Sequence, residues 1–271
     1  MILAIDVGNS HIFGGVFGGA ELTLTFRRTS HPPTSSDELG LFLLSVLREN
    51  GCDPAAVDRI ALCSVVPDAV YSLRSCCRKY FRIDPFILQA GVKTGLKIRY
   101  RNPLEVGPDR IANAIAASHL YPHRNLVIVD CGTATKVDAV RPGRDYLGGA
   151  ILPGLRISME ALEKSTARLP TVEIVASPEI VGRSTVEGIQ SGLYHGHRFA
   201  IEGLIRAIRQ HAFGGEPVLV VGTGGFSRLF ERDGLFDAFA PDLVLVGLER
   251  ALALNADASR PWRESPGDSG A

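Results

Sequence analysis

The sequence predicts an α/β fold with mixed sheets, built as two similar halves, and three observations support this prediction. Residues 2–9 and 126–133 repeat one pattern, an apolar run followed by Asp, any residue, Gly and a polar residue. An apolar run of this length suits a buried strand. Each copy then continues into a second β-like stretch, over residues 12–17 and 135–140. Hairpins followed by alternating helix and strand patterns are typical of α/β domains.

Signals at helix and strand ends place the elements of the first half. Ser35 and Glu38 have the spacing of a capping box, which predicts a helix start, and Gly51 predicts the end of that helix. Pro67 and Pro108 each suit the first position of a helix, where a missing N–H costs nothing. The predicted order is a three-stranded meander over 1–28, a helix over 35–50, a strand over 59–66, a helix over 67–80 and an Ala-rich helix over 111–121.

The pattern restarts at residue 126 and predicts the elements of the second half. The predicted order is the repeated strand, a hairpin through 146–149, a helix after residue 154, a long helical region over 184–212, a strand over 218–221 and a last strand over 241–246. Residues 256–271 are polar and rich in Pro, Gly and Ser, so we predict a disordered tail. We expect two domains, over residues 1–117 and 118–255.

Composition excludes several classes of partner. Lys plus Arg equals Asp plus Glu at 29 each, so no global field favours nucleic acid. No apolar segment is long enough to span a membrane, and Met1 leads into a strand rather than a secretory signal. The five cysteines lack paired zinc-ligand spacing and are interpreted as reduced thiols. We expect a cytoplasmic protein with neither nucleic acid nor a membrane as partner.

Each copy of the repeat places an aspartate where a buried strand meets a tight turn, Asp6 in one and Asp130 in the other. Gly8 and Gly132 follow and would let a phosphate approach the backbone without meeting a Cβ. Two carboxylates would repel a polyphosphate, so cations are expected between them. The alternative is that each Asp only caps its turn. Because the pattern occurs twice, it favours phosphoryl transfer from a nucleotide, with Thr133 as a further donor to phosphate.

Asp109 and Arg110 come at the start of the Ala-rich helix and have two interpretations. An Asp there can simply cap the helix or interact with its dipole. Phosphoryl transfer to a hydroxyl also needs a carboxylate that orients the nucleophile and accepts its proton, and a neighbouring Arg could bind polar substrate groups. The sequence does not show which interpretation of Asp109 holds.

Other patterns carry weaker signals. Residues 222–225 form a Gly-rich strand end that could accommodate a base or ribose, or could be an ordinary turn. Cys131 is interpreted as a small apolar filler rather than a nucleophile. His195 and His197 diverge on a helix, which favours surface or packing roles over a shared metal. The basic residues around Tyr100 could be a solvated face or could attract an anionic substrate.

Several motifs, taken in order, match one known family over residues 1 to about 255. They are Asp6-Val7-Gly8-Asn9-Ser10, Gly91-Val92-Lys93-Thr94-Gly95-Leu96, Gly107-Pro108-Asp109-Arg110, Asp130-Cys131-Gly132-Thr133-Ala134-Thr135, Tyr146-Leu147-Gly148-Gly149 and Gly182-Arg183-Ser184-Thr185. The chain resembles the type III pantothenate kinases, bacterial enzymes of the acetate kinase and actin superfamily. The resemblance implies two ribonuclease-H-like domains with mixed five-stranded sheets, a nucleotide cleft between them, and a homodimer.

The resemblance also implies an activity and roles for individual residues. It implies ATP-dependent phosphorylation of pantothenate, the first step of coenzyme A biosynthesis, with Asp109 as general base. Asp6 would hold Mg²⁺ through water, and Asp130 would bind a monovalent cation, K⁺ or NH₄⁺. The implied ATP-binding residues are Asp6, Val7, Gly8, Asn9, Ser10, His11, Ile12, Phe13 and Thr133. The implied pantothenate-binding residues are Tyr100, Gly107, Pro108, Asp109, Arg110 and Thr185.

Three positions depart from the family pattern, and two other functions compete. Position 108 is usually Ala, while positions 131 and 136 are commonly Phe and Thr; this chain has Pro108, Cys131 and Lys136. Lys136 adds a charge near the nucleotide turn that could aid phosphate binding or perturb the cation site. The first competing function is a nucleotide-binding transcriptional accessory factor with little catalysis. The second is a kinase acting on another small hydroxylated acid.

Overall fold

The structure is a computed structural model that describes residues 1–31, 34–166, 168–256 and 258–262. Its strands are β1 (Ile2–Val7), β2 (His11–Gly18), β3 (Glu21–Thr29), β4 (Arg59–Ser64), β5 (Ile83–Asp84), β6 (Phe86–Ile87), β7 (Lys97–Ile98), β8 (Leu126–Cys131), β9 (Ala134–Arg141), β10 (Asp145–Pro153), β11 (Leu219–Thr223), β12 (Ala238–Phe239) and β13 (Arg260–Pro261). Its α-helices are α1 (Ser36–Glu49), α2 (Pro67–Cys76), α3 (Pro108–Leu120), α4 (Leu155–Ser165), α5 (Thr185–Ser191), α6 (His197–Phe213) and α7 (Leu243–Leu254).

The chain divides into two compact units that are not simple consecutive segments. Unit 1 comprises Met1–Gly95, Leu104–Ala116 and the described residues from Val244 onward, and unit 2 comprises Leu96–Pro103 and Ala117–Leu243. The limits of 1–117 and 118–255 drawn from the sequence treat the domains as consecutive and stay a prediction.

Unit 1 is built on a five-stranded sheet in the order β3-β2-β1-β4-β6. β1, β2 and β3 are antiparallel neighbours, which confirms the predicted meander, while β4 is parallel to β1 and to β6. The α1 helix begins with the predicted capping box between Ser35 and Glu38. Its buried residues Leu39, Leu43 and Leu47 join the core that covers β1 and β4.

Unit 2 repeats the same order with one additional strand. Its sheet runs β12-β11-β8-β9-β10-β7, so β10-β9-β8-β11-β12 corresponds to β3-β2-β1-β4-β6 of unit 1. This confirms two mixed α/β sheets of one topology. The expectation of five strands in each sheet is wrong for unit 2, because Lys97–Ile98 adds a sixth strand parallel to β10.

The prediction of a last strand over residues 241–246 is also wrong. Residues from Leu243 to Leu254 form α7, and the last strand of the sheet is the short β12. Leu245 and Leu248 are both fully buried, and α7 is so close to α3 that a Cβ on Gly247 would overlap the carbonyl of Ala112. A helix buried on most sides lacks a polar face, so its apolar run imitates a strand.

The predicted disordered tail over 256–271 is in part a strand. Arg260–Pro261 pairs antiparallel with Ile83–Asp84, and Ser259 accepts a hydrogen bond from the backbone N–H of Ile60 at 3.1 Å. Residue 257 and residues 263–271 of that prediction lie outside the described residues. Across the described ranges, we find no helix with both the length and the apolar character needed to cross a membrane.

Candidate active site

The first acidic turn lies where β1 ends in unit 1. Asp6 is half-buried and lies opposite Cys63 of β4, whose Sγ donates a hydrogen bond to Oδ1 of Asp6 over 3.1 Å. The backbone N–H of Gly8 donates to the carbonyl of His11 at 2.9 Å, and Ser30 Oγ donates to the Gly8 carbonyl at 2.6 Å. The turn is therefore fixed by its own backbone and by the chain after β3.

The residues that the resemblance assigns to ATP fall into two groups in this turn. Val7, Ile12 and Phe13 are buried, and the Arg27 guanidinium lies 4.1 Å from the centre of the Phe13 ring. Their side chains belong to the core, so only their backbone is available to a ligand. The accessible polar side chains are those of Asn9, Ser10 and His11.

The second acidic turn lies where β8 ends in unit 2. Asp130 and Lys136 are register partners on β8 and β9, and Lys136 Nζ lies 3.1 Å from Asp130 Oδ2. The two side chains are only 14% and 18% exposed. This ion pair is therefore largely shielded from bulk solvent, unlike an ordinary surface pair.

Gly224, just after β11, packs its backbone against the Asp130 carboxylate. Its φ of +88° favours glycine, and a Cβ on it would overlap Asp130 Oδ1 and lie 2.7 Å from the Cys131 backbone nitrogen. The Gly-rich segment over 222–225, left open by the sequence, thus forms one side of the acidic turn.

The two turns correspond residue by residue. Asp6 lies opposite Cys63 on the parallel strand β4, and Asp130 lies opposite Thr223 on the parallel strand β11. Each Asp precedes its glycine by two positions, as the repeat predicts. The duplication seen in the sequence is therefore also a duplication of strand register.

The backbone of Thr133, in the second turn, contacts Gly154 at the start of α4. The Thr133 carbonyl accepts a hydrogen bond from Gly154 N at 3.2 Å, and a Cβ on Gly154 would overlap that oxygen. The Thr133 side chain itself is half-exposed. That the Thr133 hydroxyl donates to a phosphate oxygen stays a prediction.

Cys131 is a packing residue. It is 1% exposed, and burial together with the Asp130 charge raises the pKa of its thiol well above the ordinary value. A thiol that stays protonated is a poor nucleophile. The interpretation as an apolar filler is confirmed.

Asp109 lies in the first turn of α3, in unit 1 with Asp6. A Cβ on Gly107 would lie 2.5 Å from Asp109 Oδ1, so the missing side chain makes room for the carboxylate. Pro108 is the first residue of the helix and Arg110 is 4% exposed. Both interpretations of Asp109 place it here, at a helix N-terminus.

Tyr100 and Thr185 both belong to unit 2. Tyr100 follows β7, and its ring lies against Gly148, where a Cβ would be 3.0 Å from Cε2. Thr185 is exposed and is the first residue of α5, after Ser184, which accepts a hydrogen bond from Glu187 N at 3.2 Å. The predicted site residues are thus divided, with Asp6, Gly107, Pro108, Asp109 and Arg110 in unit 1 and Tyr100, Asp130, Thr133 and Thr185 in unit 2.

No group of three or more His, Cys, Asp or Glu side chains able to hold a metal ion occurs within the described ranges. Mg²⁺ differs from metals that need a complete protein cage, because it keeps several waters and binds through one or two carboxylates plus substrate phosphates. The half-buried carboxylate of Asp6 at an open turn fits that mode of binding. The hydrogen bond from the Cys63 thiol to Asp6 has no counterpart in the sequence predictions. The charge of Lys136 near the second turn is predicted, and the structure adds that it pairs with Asp130.

Two copies of one sheet order, each with an Asp-X-Gly turn at the end of its central strand, define this chain as a phosphotransferase of duplicated α/β fold. A family model described as type III pantothenate kinase matches residues 2–207. The chain belongs to that family.

Individual relatives and one solved structure are also similar to this chain. It is 60% identical over 255 residues to a type III pantothenate kinase of Legionella pneumophila (strain Corby), covering 94% of this chain and 99% of that protein. It is 48% identical to one from Elusimicrobium minutum, with 94% and 99% covered. A Campylobacter jejuni protein described as a Baf family transcriptional activator aligns with a TM-score of 0.61 at 19% identity, covering 94% and 99%. That last likeness shows the fold alone.

Proposed function

We propose that this chain transfers the γ-phosphoryl group of ATP to the primary hydroxyl of pantothenate. The product is 4′-phosphopantothenate, and the reaction opens coenzyme A biosynthesis. The observation that carries the proposal is the duplicated acidic turn in a chain that belongs to the type III pantothenate kinase family. We further propose a cytoplasmic location, where ATP is supplied.

The residues proposed to bind the nucleotide come from both turns. Backbone N–H groups and the side chains of Asn9 and Ser10 would donate to phosphate oxygens, and Thr133 would do so from unit 2. Asp6 would hold Mg²⁺ through water, and the bound ion would neutralise phosphate charge. The Cys63 thiol supports this role by fixing one Asp6 oxygen at 3.1 Å.

Asp109 would orient the hydroxyl of pantothenate and accept its proton. The bare backbone of Gly107 beside this carboxylate supports an approach by substrate, because no Cβ covers it. Arg110, Tyr100 and Thr185 would bind polar groups of pantothenate. The regulatory alternative is not favoured, because family membership and the presence of Asp109 both point to catalysis.

A comparison of two aspartates tests the proposal. Asp109→Asn is expected to lower kcat by a factor of about 10² or more, because the amide cannot accept the proton. Asp68→Asn is the matched control, since Asp68 also follows a proline at the first turn of a unit 1 helix. The measurement is ADP release with ATP, Mg²⁺ and pantothenate, with thermal unfolding as the check on folding.

Equal and small effects of both substitutions would mean that Asp109 only stabilises its helix. An acceptor screen with the unaltered protein decides between pantothenate and other small hydroxylated acids. Absence of ADP release with every acceptor would instead favour a binding module.

We also propose that two copies of this chain form a homodimer. Unit 2 carries six exposed large apolar side chains between residues 151 and 186, which are Ile151, Ile157, Leu162, Ile180, Val181 and Val186. These side chains support the proposal because apolar surface that a partner covers is removed from water.

A further inference from the structure

The ammonium group of Lys136 contacts the Asp130 carboxylate, which is the group that the family resemblance predicts to bind a monovalent cation. Its Nζ lies 3.1 Å from Asp130 Oδ2, within donor distance of a charge-assisted hydrogen bond. The contact follows from strand register, since the two residues are direct partners on β8 and β9. It is thus fixed by the backbone of the hairpin and is not a chance contact of two flexible side chains.

The surroundings of Asp130 do not fit a bound K⁺. Lys136 occupies the Oδ2 side, and the Gly224 backbone lies against Oδ1. Gly132 lies close as well, because a Cβ on it would be 3.4 Å from Oδ1. A free cation would have to displace the ammonium and break this largely shielded ion pair, which is costly.

We propose that the Lys136 ammonium replaces the monovalent cation, so that this kinase works without K⁺ or NH₄⁺. The proposal rests on the proposed function, because it concerns the charge beside the nucleotide phosphates. A Lys carries the same single positive charge as these ions. Because it is tethered to β9, its effective concentration at Asp130 does not depend on the salt in solution.

The first experiment measures pantothenate phosphorylation in four chloride salts at equal ionic strength: potassium, ammonium, sodium and tetramethylammonium. The unaltered protein is expected to give kcat/KM values within about twofold of one another. A loss of tenfold or more in sodium and tetramethylammonium, restored by potassium, would overturn the proposal while leaving the kinase function intact.

The second experiment creates the cation site that Lys136 fills. Lys136→Thr introduces the residue that the resembled family commonly has there, and it is expected to be slow in tetramethylammonium and restored by potassium or ammonium. Lys136→Met keeps the bulk of the side chain without its charge and is expected to stay slow in every salt. If Lys136→Thr is equally slow in all four salts, the Lys136 ammonium does not replace a bound monovalent cation, and the proposal fails.

Lys79→Thr is the matched control. Lys79 also forms an ion pair with an aspartate, at 2.7 Å from Asp37, but both side chains are more than half exposed and lie in unit 1. Its removal is expected to leave both the rate and its salt dependence unchanged. Thermal unfolding of all variants shows whether each one is folded.

Calorimetric binding of ADP gives a readout that does not need turnover. The unaltered protein is expected to bind ADP with the same Kd in potassium and tetramethylammonium, while Lys136→Thr binds more weakly in tetramethylammonium. Cation-dependent binding by the unaltered protein would contradict the proposal. Failure of phosphorylation in every salt, with binding as expected here, would count against the proposed function and not against the role of Lys136.

Discussion

At the residue scale, Cys63 contributes to the orientation of the Asp6 carboxylate through a hydrogen bond. Its Sγ lies 3.1 Å from Oδ1, and the thiol is fully buried at the end of β4. A donor at a fixed position favours one orientation of a half-buried carboxylate, and a group that is to hold the waters of a magnesium ion needs such an orientation.

Cys63→Ala is expected to raise the KM for MgATP about fivefold, since a weak thiol donor to a carboxylate contributes about 1 kcal/mol. Cys63→Ser keeps a donor in place and is expected to restore most of the affinity. The measurement is KM for ATP at saturating pantothenate, with kcat recorded in parallel.

Cys76→Ala provides the control for the loss of a buried thiol. Cys76 is also fully buried in unit 1, but it lies in α2 and joins the core instead of the turn. Cys76→Ala is expected to lower the free energy of unfolding without changing the KM for ATP. Equal KM values for the alanine variants at positions 63 and 76 would remove Cys63 from the site.

The sequence predicts the two acidic turns and a charge from Lys136 near one of them, but not the hydrogen bond of Cys63 to Asp6 or the ion pair of Lys136 with Asp130. Asp6 and Asp130 follow apolar runs and precede glycines, and such local signals are readable from neighbouring residues. The contact of Cys63 with Asp6 depends on the register of two parallel strands 57 positions apart, and no local pattern specifies that register. Lys136 is six positions from Asp130, so its pairing follows once the hairpin turn at residues 132–133 is known.

At the element scale, α6 is attached to β9 by a buried hydrogen bond. His197 Nε2 lies 2.8 Å from Thr135 Oγ1, and the His197 ring stacks on Phe230 at 6.0 Å. α5, the π-helical turn Gly192–Gly196 and α6 are consecutive, so His197 starts the longest of these segments. The predicted packing role of His197 is confirmed.

Stability is expected to fall as the pH drops below about 6.5, because burial lowers the pKa of His197 from its ordinary value of 6.5. The unfolded chain then binds a proton that the folded chain rejects, which favours unfolding. The ion pair of Asp84 does not contribute to this change in stability. Arg74 and Arg78 hold the pKa of Asp84 below its ordinary 3.8, which is itself below the pH range of the measurement. The measurement is the free energy of unfolding at pH 7.5 and at pH 5.5.

His197→Gln is expected to reduce the difference between these two free energies. His211→Gln is the control, because His211 lies on the same helix but is exposed. An unchanged difference in His197→Gln would mean that other groups set the acid sensitivity.

Long apolar runs predict the central strands, but they do not predict a two-residue strand or distinguish a buried helix from a strand. β1 and β8 are each six residues long and buried along most of their length, so the runs are unambiguous. β7 has two residues, and its place is set by pairing with Asp145–Tyr146 far along the chain. α7 is apolar on most sides, which hides the helical period that would distinguish it from a strand.

At the scale of the whole molecule, the exposed apolar residues of unit 2 lead to a prediction about mass in solution. Val181 is 73% exposed and Ile180 is 59% exposed, just before the predicted substrate residue Thr185. We expect light scattering to give about twice the 29.1 kDa of one chain.

Val181→Asp is expected to shift this mass toward that of one chain, because a charge buried in an apolar interface is costly. Tyr71→Asp is the matched control, since Tyr71 is 81% exposed but lies in unit 1. If both variants keep the mass of the unaltered protein, the surface around Val181 is not the interface.

Because α7 belongs to unit 1, unit 1 is completed on the ribosome after unit 2, although most of unit 1 is synthesised first. Ala116 ends the second segment of unit 1, and 138 residues separate it from Leu254 at the end of α7. At about 5–20 residues per second, the nascent first half waits roughly 7 to 28 seconds for its closing helix. Unit 2, whose last residue is Leu243, is therefore complete before unit 1, and the part of β2 at Gly15 that Leu245 contacts stays uncovered until α7 has been made.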